Sequence, residues 1–197
     1  MQSFAVIPAA GRSVRMGRPK LLLPWGKSTV IEHVLSVWRA SRVGRIVVVV
    51  HPDDSELAEV CRAAGAEVVV PDGPPPQMRD SARRGLAYVQ RRYTPESRDV
   101  WLLAPADMPR LSSAVIDQLL AAHRPQSPEI LLPAIEGRRG HPVLFPWHLV
   151  DAVETLPAED GVNALLARHP VRQISCSEAS ILDDLDTPED YRRLHPG

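Results

Sequence analysis

Near the N-terminus, one short stretch gathers cations and small residues in a way that suits an anion. "VIPAAGRSVRMGRPK", Val6 to Lys20, joins an apolar run to a segment carrying two glycines, three arginines and a lysine. Exposed amides in such a turn can bind phosphate oxygens, and Arg15 with Lys20 can offset the negative charge of a polyphosphate. Two familiar phosphate templates fail. A dinucleotide fingerprint needs G-x-G-x-x-G, but Gly11 and Gly17 have no glycine at the middle position; a Walker loop needs a glycine five residues before G-K-[ST], and Leu21 stands there before "WGKST". Ser28 in that second stretch reads as a helix cap and Lys27 as surface charge.

The formal net charge is −1, so no general electrostatic attraction draws this chain to nucleic acid or to an anionic membrane, and any anion site is local. No segment reaches the roughly 18 apolar residues of a membrane span, and the first residues lack a basic region followed by an apolar stretch. A cytoplasmic location is the expectation. Cys61 and Cys176 are far apart and belong to no CxxC pair, which predicts two reduced thiols. With 197 residues, 44% of them hydrophobic, the chain is long enough for one good core, and a single domain over 1–197 is expected. Its 20 prolines are scattered through loops and form no polyproline tract.

"FAVIPA", "RIVVVV", "AEVVVP" and "DVWLLAPAD" are short, β-branched, nearly continuous apolar runs, as in strands buried on both faces. Between them, "STVIEHVLSVWRAS" sets Val30, Val34, Val37 and Trp38 on one helical stripe, and "DDSELAEVCRAAG" has Asp53 or Asp54 as cap and Gly65 as stop. "SARRGLAYVQRR" and "SSAVIDQLLAAHR" continue the alternation. The pattern predicts an α/β fold with three layers, α/β/α, and a Rossmann-like, mostly parallel sheet. Further on, "EILLPA", "HPVLFP" and "VRQISC" read as strands, "WHLVDAVETL" and "DGVNALLARH" as helices, and "TPEDYRRL" as a terminal helix capped by Thr187 with Pro188 at its first position. Ligands of open α/β sheets lie beyond the carboxyl ends of the strands. The opening loop, "PDGPPPQMRDS" and "PADMPR" all leave strands there and should face one another.

Ala9 to Lys20, "AAGRSVRMGRPK", matches the pattern AAGxSxRMGxxK at all eight fixed positions. This resembles the signature of MobA-like nucleotidyltransferases, nearest to the branch that transfers a cytidylyl group to the molybdenum cofactor. The resemblance implies a fold of the nucleotide-diphospho-sugar transferase type. It also implies that about 1–110 binds nucleotide and about 111–197 binds an acceptor. "LLAPADMP" resembles the family's GDMP, with Ala106 in place of the glycine, and so implies that Asp107 binds Mg²⁺. "DDLDTPEDY" resembles the family's D-x-D-T-P-E-D-Y, which carries a second metal role to Asp186, with Asp184 as the weaker candidate; capping of the last helix is a competing role. Mg²⁺ suits such a pair because it takes one or two carboxylates together with phosphate oxygens and water.

"RRGHPVLFP" resembles the family's acceptor-side R-x-HPVLF. Gly140 would allow close approach, and His141 with Arg138 or Arg139 would address an acceptor phosphate or a pterin edge. "AEDGVNALLARHP" resembles a helix start on the same side and brings in Asp160. In "PPPQMRDSARRGL" the family's Met78, Ser81, Gly85 and Leu86 are kept, while Gln77, Arg79 and Asp80 depart from its pattern, which leaves the choice of base open. The implied nucleotide set is Ala9, Ala10, Gly11, Arg15, Lys20, Met78 and Ser81, with Arg15, Lys20 and Asp107 catalytic.

The implied reaction moves a nucleoside monophosphate from a triphosphate to a molybdopterin-type phosphate and releases pyrophosphate. The "AAG" form, whose Ala10 methyl would crowd a purine, leans to CTP over GTP. Other acceptors, such as a sugar phosphate, form an alternative. So does a non-catalytic protein that holds cofactor for a client molybdoenzyme.

Overall fold

Strand β1 (Ser3–Ala9) alternates its side chains between two cores, Phe4 and Val6 on one face and Ala5 and Ile7 on the other, as the two-residue period of a strand dictates. The computed structural model describes residues 1–196, the side chain of Val14 excepted. After β1 come a hairpin of β2 (Pro24–Trp25) and β3 (Ser28–Thr29), helix α1 (Val30–Ala40), β4 (Arg45–Val50), α2 (Ser55–Ala63) and β5 (Glu67–Val69). Then follow α3 (Met78–Tyr93), β6 (Val100–Leu103), α4 (Ser113–Ala122), β7 (Ile130–Ile135), β8 (Arg138–Arg139) and β9 (Val143–Pro146). The chain continues through α5 (Val150–Glu154), α6 (Leu165–Arg168), β10 (Val171–Ser175) and α7 (Pro188–Leu194).

The main sheet runs β10-β7-β9-β6-β1-β4-β5, with β8 paired to β7. β1, β4, β5 and β6 are mutually parallel, as are β10 and β7, whereas β9 runs antiparallel between β6 and β7. Residues of α1, α2 and α4 share one core and those of α3, α5 and α6 the other, so the three-layer, mostly parallel α/β/α architecture is borne out. The side chain of Trp38 is fully buried beneath α1, and truncating it to alanine would cost about 3–5 kcal/mol. At Gly85 a Cβ would lie 2.6 Å from Val6 Cγ1, so the missing side chain lets α3 lie directly on the sheet.

Three local expectations change. Ser28 is not the cap of α1: it lies in β3 and its hydroxyl donates to the Trp25 carbonyl at 3.2 Å. Thr29 caps instead, in a capping box whose Glu32 carboxylate accepts from the Thr29 N–H at 2.8 Å. Helix α3 begins at Met78, three residues before Ser81, because the Asp80 carboxylate accepts the Gln77 N–H at 3.2 Å and closes the first turn. The expected helices after residue 147 are shorter, with 3₁₀ turns at Trp147–Leu149 and Val162–Ala164 preceding α5 and α6. Asp54, of the two aspartates considered, caps α2, and Thr187 caps α7 with Pro188 at its first position.

The fold places the site through two devices. Trp101 on β6 stacks on Phe145 of the facing β9 pair, ring centroids 4.2 Å apart, which fixes β9 beside β6. The Leu185 N–H donates to the Asp107 carbonyl at 2.9 Å with Leu185 fully buried, which ties the segment before α7 to the loop after β6.

Candidate active site

The segment after β1 crosses the carboxyl edge of the sheet with Ser13 at φ 51° and Gly17 at φ 69°. That left-handed geometry turns the chain back, and Lys20 opens a short 3₁₀ turn (Lys20–Leu22). Its ammonium donates to Asp107, which follows β6, and to Asp186 Oδ1 at 3.0 Å. Arg15 reaches Asp186 Oδ2 at 2.9 Å from an exposed position. Lys20, Asp107 and Asp186 are 14%, 15% and 24% exposed at their side chains, so this is a half-dry cluster of two carboxylates around one ammonium. Burial pulls the Lys20 ammonium down, and Asp107 and then Asp186 more than offset it, so Lys20 is held above its ordinary 10.5 and stays charged.

Asp186 does not cap α7. Thr187 accepts the Asp190 N–H at 3.2 Å, and Asp190 accepts from the Thr187 N–H and hydroxyl at 2.9 and 2.8 Å, which leaves the Asp186 carboxylate for the cations. These bonds, with Arg193, hold Asp190 down to about 2. Asp107 Oδ1 is buried and has no hydrogen-bond partner among the described residues. A buried carboxylate oxygen left bare is a costly feature that a cation or donor would relieve. No three His, Cys, Asp or Glu side chains gather into a metal cage among the described residues. Two carboxylates still fit Mg²⁺, which needs few protein ligands when phosphate and water complete its shell.

Beside this cluster lies a cavity of about 360 Å³. Ala9, Ala10 and Gly11 line it from the end of β1, Met78 and Ser81 from the start of α3, and Lys20 and Asp107 from the ion cluster. The three polar loops that leave the parallel strands do face one another here. At Gly11 a Cβ would meet no protein atom within 4 Å, so the protein's own packing does not demand glycine there; the space opens to the cavity. Ala106 is buried on the same wall, and its φ is not positive, so its backbone does not require the glycine it replaces. Of the residues in the altered segment, only Gln77 faces the cavity. Arg79 points away and donates to the Pro157 and Asp160 carbonyls, the latter at 2.9 Å.

The acceptor-side expectations are not brought into that cavity. Arg139, Gly140 and His141 line a separate space of about 400 Å³, together with Asn163 and Leu166. Arg138 is exposed on β8 and does not line it. A Cβ at Gly140 would lie 2.5 Å from the Ile181 carbonyl, so this glycine is required by the chain's own packing and not by room for a ligand. His141 is held below its ordinary value by burial, opposed by a hydrogen bond to the Leu103 backbone and by Asp107 and Asp184. Its Nδ1 is buried without a partner among the described residues. Asp160 lines neither cavity and pairs with Arg168.

Two cavity residues escape the sequence reading. Arg12 sits at a variable position of the first motif, and His51 follows β4 directly. His51 directly follows a buried parallel strand, the edge where ligands of such sheets lie, but unlike Asp107 it belongs to no motif.

Residues 5–174 match the MobA-like NTP transferase domain. Among its relatives, the nicotine blue oxidoreductase of Paenarthrobacter nicotinovorans is 30% identical over 96% of this chain and 94% of its own. A probable molybdenum cofactor guanylyltransferase of Mycobacterium avium is 29% identical over 98% and 95% of the two chains, and the molybdenum cofactor cytidylyltransferase of Escherichia coli 26% over 94% and 92%. The crystal structure of Rv0371c from Mycobacterium tuberculosis superposes with a TM-score of 0.81 at 30% identity over 100% of both chains. The same protein solved with manganese gives 0.76 at 28% identity over 99% and 98%. The chain belongs to the MobA-like NTP transferase family, with the fold of the nucleotide-diphospho-sugar transferases.

Proposed function

We propose that this protein transfers a nucleoside monophosphate, CMP from CTP, to a phosphorylated acceptor of the molybdopterin type and releases pyrophosphate. The observation that carries this reading is the Lys20, Asp107 and Asp186 cluster, its Asp107 Oδ1 bare, at the mouth of a cavity where Gly11 leaves open room. In this reading the chain is one domain over 1–197. Its first part, to about 110, holds the nucleotide, and the rest, around Arg139, Gly140 and His141, holds the acceptor.

Ala9, Ala10 and Gly11 bring backbone close to the nucleotide, and Met78 and Ser81 close the opposite wall. The triphosphate competes with the two carboxylates for Lys20, and Arg15 follows from its exposed position. An acceptor phosphate oxygen attacks the α-phosphorus, the bond to the β-phosphate breaks, and the electron pair leaves with pyrophosphate. Arg15 and Lys20 stabilise the charge that gathers on the leaving group, so no covalent protein nucleophile is required. Asp107 and Asp186 would hold Mg²⁺, and when bound the ion supplies charge neutralisation at the phosphate. Both cytidylyl- and guanylyl-transferring relatives exist, and Ala10 on the cavity wall favours the smaller base. In this reading the protein works in the cytoplasm and its product passes to a client molybdoenzyme; among the described residues no helix is long and apolar enough to cross a membrane.

Pyrophosphate release from CTP, Mg²⁺ and molybdopterin tests the reading; no release with any of the four nucleoside triphosphates would end it. The Paenarthrobacter relative carries a second reading, an oxidoreductase with a reducing nucleotide in the same cavity. Oxidation of NADH or NADPH in place of pyrophosphate release would select it.

A further inference from the structure

His51 is 8% exposed and stands at the carboxyl end of β4, where it lines the nucleotide cavity. Both of its ring nitrogens face donors. The Asp53 N–H points at Nδ1 from 3.1 Å, and Arg12 Nη2 lies 3.1 Å from Nε2. A neutral imidazole has one accepting nitrogen and an imidazolium has none, so no protonation state satisfies both contacts. With Nδ1 accepting from the Asp53 N–H, Nε2 turns its hydrogen on the Arg12 guanidinium, donor against donor; with the hydrogen on Nδ1, which also lies 3.6 Å from Asp53 Oδ2, Nε2 accepts from Arg12 and the Asp53 N–H is left unmet. The exposed Arg12 is held in that position by its 3.0 Å bond to Asp53 Oδ2.

An acceptor atom entering from the cavity relieves this conflict. A slight outward swing of Arg12 lets both groups donate to a ligand. Their position names the part of the ligand. β4 is two strands from β6 in the sheet, so the ends of these strands lie roughly 10 Å apart, about the separation of an α-phosphorus from the pairing edge of its base. The neighbouring wall is Pro74, Pro75 and Pro76, which have no N–H and offer the ligand only carbonyl acceptors. One end of the cavity thus supplies two side-chain donors and a wall that accepts.

We propose that Arg12 and His51 select the base, donating to the adjacent acceptors N3 and O2 of a cytosine, while its amino group faces the proline carbonyls. The proposal rests on the nucleotidyl-transfer reading above and deepens it. Uracil has the same size but carries N3–H, which would meet the donors with another donor and leave buried groups unpaired.

Binding of CTP, UTP and GTP to the full chain, by calorimetry with Mg²⁺, separates the two claims. The wild type should prefer CTP to UTP by at least about tenfold, and His51→Ala and Arg12→Met should each narrow that ratio to within about threefold. His51→Gln, which keeps a donor, should restore part of it. A melting curve for each variant shows that it is folded, and Arg12→Met, at an exposed site, serves if His51→Ala does not fold. A ratio unmoved in these variants, an equal loss for all three nucleotides, or a wild type that prefers GTP or UTP would overturn the proposal and leave nucleotidyl transfer standing. A wild type that binds no nucleotide would defeat nucleotidyl transfer itself and this proposal with it.

Discussion

The two cavities differ in how the chain assembles them. The first is bounded by segments that leave parallel neighbours β1, β4, β5 and β6 at one edge, so residues beside each strand end converge without further help. The second lies beside antiparallel β9, and its lining comes from Leu132 on β7, from Arg139, Gly140 and His141, and from Asn163 and Leu166 at α6. Two glycines carry the contrast. Gly11 has empty space where a side chain would be, and Gly140 has the Ile181 carbonyl. The first glycine leaves space that the chain does not fill, and the second makes room for the chain itself.

The sharpest way to break this comparison is at the ion cluster. Asp107→Asn should cut pyrophosphate release on the order of 10²–10³-fold with the fold intact. Turnover near that of the wild type would remove the proposed metal and transfer roles from the first cavity.

Lys20→Met should lower turnover nearly as far and also destabilise the protein by about 1–3 kcal/mol, because two half-buried carboxylates lose their cation. Lys20 is held above its ordinary 10.5, so its contribution is fully present below that pH and fades as the pH rises through the elevated value. Urea titrations across the alkaline range should show a falling stability limb that flattens in Lys20→Met; identical limbs would contradict the ion-pair account.

The glycines give a paired test of intermediate size. Gly140→Ala should lower stability by about 1–3 kcal/mol through overpacking against Ile181. Gly11→Ala should leave the melting temperature nearly unchanged while weakening nucleotide binding. The reverse pattern would erase the distinction between the two regions. Asp160→Asn should have the smallest effect, within about 1 kcal/mol, since its Arg168 partner is 48% exposed. A large loss of acceptor binding in that variant would return Asp160 to the site.

Much of the first region is legible in the residues themselves. Ala9 to Gly11, Lys20 and Asp107 flank apolar runs, and the parallel order of those runs brings their carboxyl ends together. His51 obeys the same logic but carries no motif, so only its place at the end of β4 exposes it. The altered segment after β5 could not be read in advance. Arg79 and Asp80 interrupt a familiar pattern, yet they face a loop and a helix start, and a linear sequence does not say which side of α3 each residue occupies relative to a cavity.

By itself the sequence determined the alternation of strands and helices, the family signature and the local cationic character of the first loop, because periodicity and short-range spacing act between neighbours in the chain. Tertiary structure alone decided that Lys20 meets both Asp107 and Asp186 and that Gly140 answers to Ile181. Those partners are separated by long stretches of chain. Their meeting depends on strand order, on the placement of β9 beside β6, and on a single hydrogen bond from Leu185 to the Asp107 carbonyl.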